Sequence, residues 1–375
     1  MYLMPRIGLF LSMLTTLLLT SCSTLHDPKE KLVLNSISYQ ELPGWLHDDH
    51  GQALEVFLNS CERMLTLPSS RNVHKTGLGG SYGDWENVCT IGKNIGHINP
   101  TMFFEEHFTP HKVSSDISNS SQGLFTGYYE PGLYGSRTRH SAFQNPLYKK
   151  PPQLDPKEAF FSRSQINQGK LDNQDLELVW VNDPVKSFFL HIQGSGLIWL
   201  DDGTHMRVGY DGKNNHAYTS LGKYMIEQGW LTRQEVTAQS IKKWLFNHPH
   251  QSERIMEENA SYIFFKDNHT SGPIGAQGVE LTPMRSLAVD KHLIPYGIPI
   301  WLNTTLNGGH GYPEKPFQHL MIAQDTGGAI RGAVRGDIFF GNGDMAESYA
   351  GTQNSVGEYY VLLPNHSTTH LALLP

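Results

Sequence analysis

Charge gathered into runs is what this sequence has least of. Charged residues make up 17% of its 375 residues, and the formal net charge is −7. No stretch of lysine and arginine stands out, so nucleic acid is not an expected partner. Electrostatic adhesion to an anionic membrane surface is not expected either. Cysteine is rare, with three in the chain and no Cys-x-x-Cys pair. Histidine is more plentiful, at 19, yet there is no His-Glu-x-x-His, and His248 and His250 form an isolated pair around Pro249. Catalytic zinc is therefore not expected, nor any other metal or cofactor. A Gly-x-Ser-x-Gly elbow is missing too. Its nearest approach, Gln193-Gly194-Ser195-Gly196, lacks the spacing and reads as a tight turn after a strand. Gly275-Ala276-Gln277-Gly278 has too few glycines, and no following lysine, to cradle phosphate. Internal repeats and long low-complexity linkers are absent.

Long apolar runs are absent as well, with one exception. Arg6 precedes a mainly apolar segment from Ile7 to Leu19, which ends in Leu19-Thr20-Ser21-Cys22. A charged start, an apolar middle too short for a comfortable membrane span and a small-residue end make residues 1–21 a signal peptide. The ending resembles a bacterial lipoprotein box. That resemblance implies cleavage before Cys22, acylation of Cys22 and a membrane partner reached through this lipid. Ser23 after the cysteine goes with anchoring in the outer membrane, facing the periplasm. Residues 22–30 are then a polar tether. Cys61 and Cys89 remain. An oxidising compartment allows a disulfide between them, and two unpaired buried thiols are the alternative.

The rest of the chain reads as many short strands with few helices. Gln52–Leu65 has helical periodicity, a second helical zone spans Thr219–Phe246, and Thr232-Arg-Gln-Glu235 has a capping-box pattern. Strands are expected at Leu124–Tyr129, Leu176–Val181, Phe188–Gln193, Met206–Tyr210, Tyr262–Lys266, Pro299–Leu302, His319–Gln324 and Glu358–Leu363. Thirty-six glycines and 21 prolines punctuate them. A mainly β barrel or sandwich is the expected class.

The densest chemical pattern runs from Ala323 to Gly341. An apolar strand delivers Asp325, a glycine-rich turn follows, and Asp337 opens a second apolar segment containing Phe339 and Phe340. A carboxyl partly removed from water holds its proton near neutral pH and can act as a general acid, as cleavage of a sugar bond requires. Structural turn-capping by both aspartates is an equal alternative at this stage. Flat rings at Tyr128, Tyr129, Trp180, Trp199 and Tyr210, with the amide of Gln193, suit a carbohydrate, although any one of these rings is more ordinarily a core residue.

Further stretches stand in order along the chain: Phe125-Thr-Gly-Tyr-Tyr-Glu-Pro131, Pro146-Leu-Tyr148, His191-Ile-Gln-Gly-Ser-Gly196, Arg207-Val-Gly-Tyr210, Tyr218-Thr-Ser-Leu-Gly-Lys-Tyr224, Ser261-Tyr-Ile-Phe-Phe265, Gly272-Pro-Ile-Gly-Ala-Gln-Gly278, Arg285-Ser-Leu-Ala-Val-Asp290 and Asp325–Gly341. Together they resemble the membrane-bound lytic murein transglycosylase A family. The resemblance implies a double-psi β-barrel formed by residues 31–135 and 271–375, with a second β-rich, substrate-binding domain inserted at 136–270. It implies peptidoglycan glycan strands as substrate, with formation of 1,6-anhydromuramic acid ends and no cofactor. It assigns catalysis to Asp337, with Asp325 in support. Thr126, Tyr128, Gln193, Ser195 and Tyr210 are the sugar-contact candidates by position. Gly328, Gly336 and Gly341 are expected to permit close backbone approach. A true glycoside hydrolase would need a second carboxylate, with Asp84, Glu130 and Asp325 as candidates. A non-catalytic wall-binding lipoprotein is the remaining alternative.

Overall fold

The structure, a computed structural model, describes residues 30–365 apart from 95, 97, 98, 271 and 309–312. The signal peptide, Cys22 and the tether up to Lys29 lie outside the described residues. In chain order the elements are β1 (Leu32–Ser36), α1 (His50–Met64), α2 (Tyr82–Lys93), α3 (Pro100–His107), β2 (Phe108–Ser115), β3 (Gly123–Glu130), β4 (Gly132–Ser136), β5 (Asn145–Tyr148), α4 (Arg163–Gln165), β6 (Glu177–Val181), α5 (Pro184–Gln193), β7 (Ser195–Leu200) and β8 (His205–Lys213). Then come α6 (Leu221–Glu227), α7 (Ala238–Asn247), α8 (Pro249–Glu257), β9 (Ile263–Asp267), β10 (Ser286–Val289), β11 (Pro299–Leu306), β12 (Lys315–Asp325), β13 (Arg335–Asn342), α9 (Gly343–Thr352) and β14 (Asn354–Pro364).

Two sheets result. In the first, β14 pairs with β11 and also with β3, so β14-β11-β12-β10-β13-β3 closes into a six-stranded barrel, and β2 and β1 extend it. Closure is possible because β14 is long. Asn354–Gly357 pairs with β3, whereas Tyr360–Pro364 pairs with β2. Two of the barrel's strand pairs are parallel, β3 with β13 and β10 with β12. The expected barrel is therefore present. The second sheet, β5-β6-β4-β7-β8-β9, is open.

Each sheet buries its own apolar residues. Phe125, Leu287, Ile338 and Tyr359 belong to the barrel core, and α1–α3 add Phe57, Trp85, Phe103 and Phe104. Cys61 of α1 and Cys89 of α2 are joined in a disulfide, so of the two readings of these cysteines the bridge holds. The second sheet encloses a smaller cluster around Leu133, Val179, Ile198 and Val208. Helices α5–α8 pack a separate cluster around Phe188, Leu221, Met225 and Ile255.

Three local readings change. Phe188–Gln193 is not a strand but the end of α5. Asp183 caps that helix by accepting the N–H groups of Val185 and Lys186, Pro184 occupies the first turn, and Gly194, at φ +86°, terminates it. A short apolar run does not distinguish a strand from a buried helix by periodicity, and the Asp-Pro cap was the signal that decides. Thr232 and Glu235 do bond reciprocally, but α7 starts later, capped by Thr237. Helices α2, α3, α4, α8 and α9 were not read from the sequence. For α2 the cue was Ser81 with Asp84 three residues on, which form a capping box.

Candidate active site

The two aspartates of the dense motif meet across one short strand. Ala288 of β10 is in register with Asp337 of β13 on one side and with Asp325 of β12 on the other. Thr126 and Tyr128 of β3 are in register with Asp337 and Phe339. Side chains alternate along a strand. Phe125 points into the core against Tyr359, with ring centroids 5.9 Å apart, so Thr126 and Tyr128 occupy the opposite face.

The polar contacts follow from that register. Thr126 Oγ1 donates to Asp337 Oδ1 at 2.5 Å and accepts from an Arg335 guanidinium nitrogen at 2.7 Å. Tyr128 donates its hydroxyl to Asp325 Oδ2 at 2.8 Å, and the N–H of Ala276 donates to Asp325 Oδ1 at 2.9 Å. Tyr128 also packs against Phe339, with ring centroids 5.2 Å apart. Among the described residues, the hydrogen bonds of Asp325 engage both of its oxygens, whereas the one hydrogen bond of Asp337 engages Oδ1 alone.

Removal from water raises both carboxyls above the ordinary aspartate range. For Asp337 the nearby Arg335 charge and the Thr126 hydroxyl pull the other way. For Asp325 the counterweights are the Tyr128 hydroxyl and the N–H groups of Thr326 and Ala276. Burial also pushes Tyr128 up, helped by the Asp325 charge, so its phenol remains a proton donor. Both aspartates keep part of their surface open. A raised, accessible carboxyl with one unengaged oxygen can give and take a proton.

The Gly272–Gly278 stretch acquires a purpose here. Gln277 N donates to the Gln324 carbonyl at 3.0 Å. The buried Gln324 amide also bridges Ser60 and Ser286, at 2.8 and 2.6 Å. This network fixes the residue before Asp325 to α1, to β10 and to the loop that presents Ala276. Gly336 leaves room for Phe125 and Leu287, each 3.0 Å from where a Cβ would stand, and Gly341 has φ +90°. Gly328 is different from what was expected: nothing lies within 4 Å of its virtual Cβ, so it accommodates no close approach.

The other candidates separate. Gln193 Oε1 accepts the Tyr129 N–H at 3.3 Å, which ties α5 to β3. Ser195 opens β7 opposite Gly209, and Tyr210 stands 52% exposed on β8. Neither contacts the aspartates. Asp84 is engaged in the α2 cap. Glu130 is buried and held by Arg207 at 2.7 and 3.3 Å, a bridge between the two sheets. Neither of these is placed to serve as a second catalytic carboxylate. Arg335 and Tyr296 were not singled out beforehand. Tyr296 is pushed up to about 12 by burial and by the charge of Asp325. Arg335 had a readable signal, since it lies two residues before Asp337 and so shares its strand face.

A cavity of about 340 Å³ opens between the sheets, past the end of β3. It is lined by Tyr129, Tyr134, Lys186, Trp199, Lys242 and Glu347, among others. Tyr134 and Trp199 are exposed there, with ring centroids 5.6 Å apart. Among the described residues no group of three or more His, Cys, Asp or Glu could hold a metal ion.

Comparison with known proteins gives consistent matches. The family described as MltA specific insert domain matches residues 124–266, and the 3D domain matches residues 285–363. The membrane-bound lytic murein transglycosylase A of Vibrio cholerae is 34% identical over 249 residues, which cover 66% of this chain and 67% of that protein. The crystal structure of a membrane-bound lytic murein transglycosylase from Agrobacterium tumefaciens superposes with a TM-score of 0.78 at 30% identity, covering 88% of this chain and 97% of the other. Escherichia coli MltA with bound chitohexaose superposes with a TM-score of 0.69 at 28% identity, covering 90% and 94%.

Proposed function

The chain belongs to the membrane-bound lytic murein transglycosylase A family, and on that footing we propose that it cleaves peptidoglycan glycan strands without consuming water. The bond is the β-1,4 link between N-acetylmuramic acid and N-acetylglucosamine. Asp337, protonated, gives its proton to the glycosidic oxygen as that bond breaks. The muramyl C6 hydroxyl attacks its own C1, and the resulting Asp337 carboxylate takes the hydroxyl proton. The product is a 1,6-anhydro end. The nucleophile is already part of the sugar, so its effective concentration is high and one carboxyl suffices.

The observation that carries this reading is the uneven engagement of the two aspartates. Asp337 is raised by burial, yet its Oδ2 is uncommitted among the described residues. Asp325 accepts at both oxygens, which suits it to hold the Ala276 loop and Tyr128 in place. Thr126 and Tyr128 line the reacting point on the barrel. Gln193, Ser195 and Tyr210 supply contacts from the inserted sheet, taken here as residues 136–270 between barrel segments 31–135 and 271–375. Acylated Cys22 anchors the enzyme in the outer membrane, facing the periplasm, with the wall as its partner.

The test is digestion of purified peptidoglycan by the chain lacking residues 1–22, beside Asp337→Asn, with muropeptides weighed by mass spectrometry. Anhydro ends, one water lighter than hydrolysed ends and lost in the variant, are expected. Reducing ends would make the enzyme a hydrolase. No cleavage by folded wild type would make it a wall-binding protein.

A further inference from the structure

The sequence contains no basic run, but the fold assembles a basic cleft from two segments far apart in the chain. Arg71, His74 and Lys75 come from the loop before α2, and Lys291 and His292 from the loop after β10. With Ser70, Asn72 and Val73 they line an open cleft of about 560 Å³ that has no carboxylate in its wall. His74 Nε2 lies 3.0 Å from the Lys291 carbonyl oxygen, and this contact joins the segments. Arg71, Lys75 and Lys291 are exposed. The nearby acids are turned to other tasks. Asp290 is buried and accepts the N–H groups of His292 and Gly332, each at 3.0 Å, while Glu86 accepts the Ser69 hydroxyl.

The cleft adjoins the place where the tether joins the folded chain. Glu30, the first described residue, accepts the Ala333 N–H at 3.1 Å. The neighbouring Gly332 binds Asp290, which directly precedes Lys291. Seven residues lie between Cys22 and Glu30, eight Cα steps, so a lipid on Cys22 is held within about 29 Å of Glu30. A chain of net charge −7 is repelled overall by an anionic surface, and that repulsion weakens beyond about 8 Å at physiological salt. The face that comes within that range decides the orientation.

We infer that this cleft, built from Arg71, Lys75 and Lys291 with His74 and His292, docks on the anionic phospholipid headgroups of the membrane to which the chain is tethered. The inference rests on the lipid-anchor reading. The cations engage the headgroup phosphates, and the acidic remainder of the surface faces away. The enzyme thereby stands on its membrane in one orientation rather than swinging freely on the tether.

The test is vesicle flotation with the chain from Ser23 onward, which keeps both sheets and every described residue. Vesicles of phosphatidylethanolamine with one quarter phosphatidylglycerol are compared with phosphatidylcholine vesicles at low salt. Each basic residue near such a surface contributes roughly a fivefold preference, so three contribute on the order of 100-fold for the anionic vesicles. Arg71→Glu/Lys75→Glu/Lys291→Glu is expected to abolish the preference while leaving cleavage of soluble glycan strands and the circular dichroism spectrum unchanged. The milder Lys75→Gln/Lys291→Gln is expected to lower it partially. Equal flotation on both vesicles, undiminished flotation of the reversed variant, or full displacement by soluble peptidoglycan fragments would overturn the inference, the last by making the cleft a wall-binding site. Acylation is read separately, from the mass of the Cys22 peptide of membrane-extracted chain, so failure of the anchor and failure of the cleft appear in different measurements.

Discussion

Two buried arginines, Arg285 in the barrel and Arg163 in the inserted region, are satisfied in opposite ways. In the barrel, Arg285 donates to Asp48 Oδ2 at 2.7 Å, and Asp48 also receives the Leu320 N–H and contacts the His319 ring nitrogen, each at 2.7 Å. The Asp48 side chain is fully enclosed. Burial alone would raise its carboxyl, but the His319 and Arg285 bonds and the Arg285 charge hold it well below the usual range. In the inserted region, Arg163 has no carboxylate partner of this kind. It donates to the carbonyls of Asn259 and Ser261, at 3.0 and 2.6 Å, and lies over the Phe188 and Tyr262 rings at 4.8 and 5.1 Å. Burial lowers Arg163 to about 10, still a cation at neutral pH. Around Arg285 the barrel thus depends on an ionisable acid, and around Arg163 the inserted region depends on neutral dipoles and rings, while the Arg207–Glu130 pair joins the two sheets. A closed barrel holding a charge pair in one geometry is suited to carry the proposed catalytic carboxyls. An open sheet held by softer contacts is suited to follow a polymer.

The largest effect expected belongs to the barrel's chemistry. Asp337→Asn lowers turnover by about 10²–10⁴-fold, the usual worth of a positioned general acid, with the fold intact by circular dichroism, whereas a conservative change at Tyr210 on the inserted sheet affects KM alone. Asp48→Ala comes next. Leaving Arg285 buried and unpaired costs about 3–5 kcal/mol, read in urea through the barrel tryptophans Trp45, Trp85 and Trp301. The sign with pH is definite. The Asp48 carboxyl is depressed by folding, so its contribution is present above the unfolded value of about 4 and is lost as pH falls below it. Acid should therefore loosen the barrel first. A single transition at pH 3, with barrel and inserted tryptophans changing together, would contradict this. Arg163→Met strands two carbonyls and costs about 2 kcal/mol, equally at pH 3 and pH 7. The smallest effect is a displacement. Arg335→Met removes a charge that favours the Asp337 carboxylate, so Asp337 keeps its proton to higher pH. The alkaline limb of the pH–rate profile therefore moves to higher pH.

Legibility differed between the two regions for physical reasons. Most barrel strands alternate or run apolar for long enough to declare themselves, as β11 and β12 do. In the inserted region α5 reads as a strand because Phe188–Gln193 is apolar at four of its six positions, and its cap, Asp183, lies five residues earlier. Asp325 and Asp337 were visible because strand and glycine turn stand together in the sequence. Their unequal hydrogen bonding was not legible there, because Thr126, Tyr128 and Ala276 reach them from 49 to 211 residues away.

The sequence by itself determined the local signals: the strand-rich class, the helix α1 and the two carboxylates on ordered backbone. Each follows from neighbours within a few residues, where periodicity and turn chemistry act. Tertiary structure alone decided which oxygen of Asp337 remains uncommitted, which arginine lies beside it, that Asp84 and Glu130 are occupied elsewhere, and that scattered cations form one basic cleft. Those properties depend on register across a closed barrel, and on burial, which sets how strongly a charge is felt. Both arise when segments distant in the chain are brought together in space.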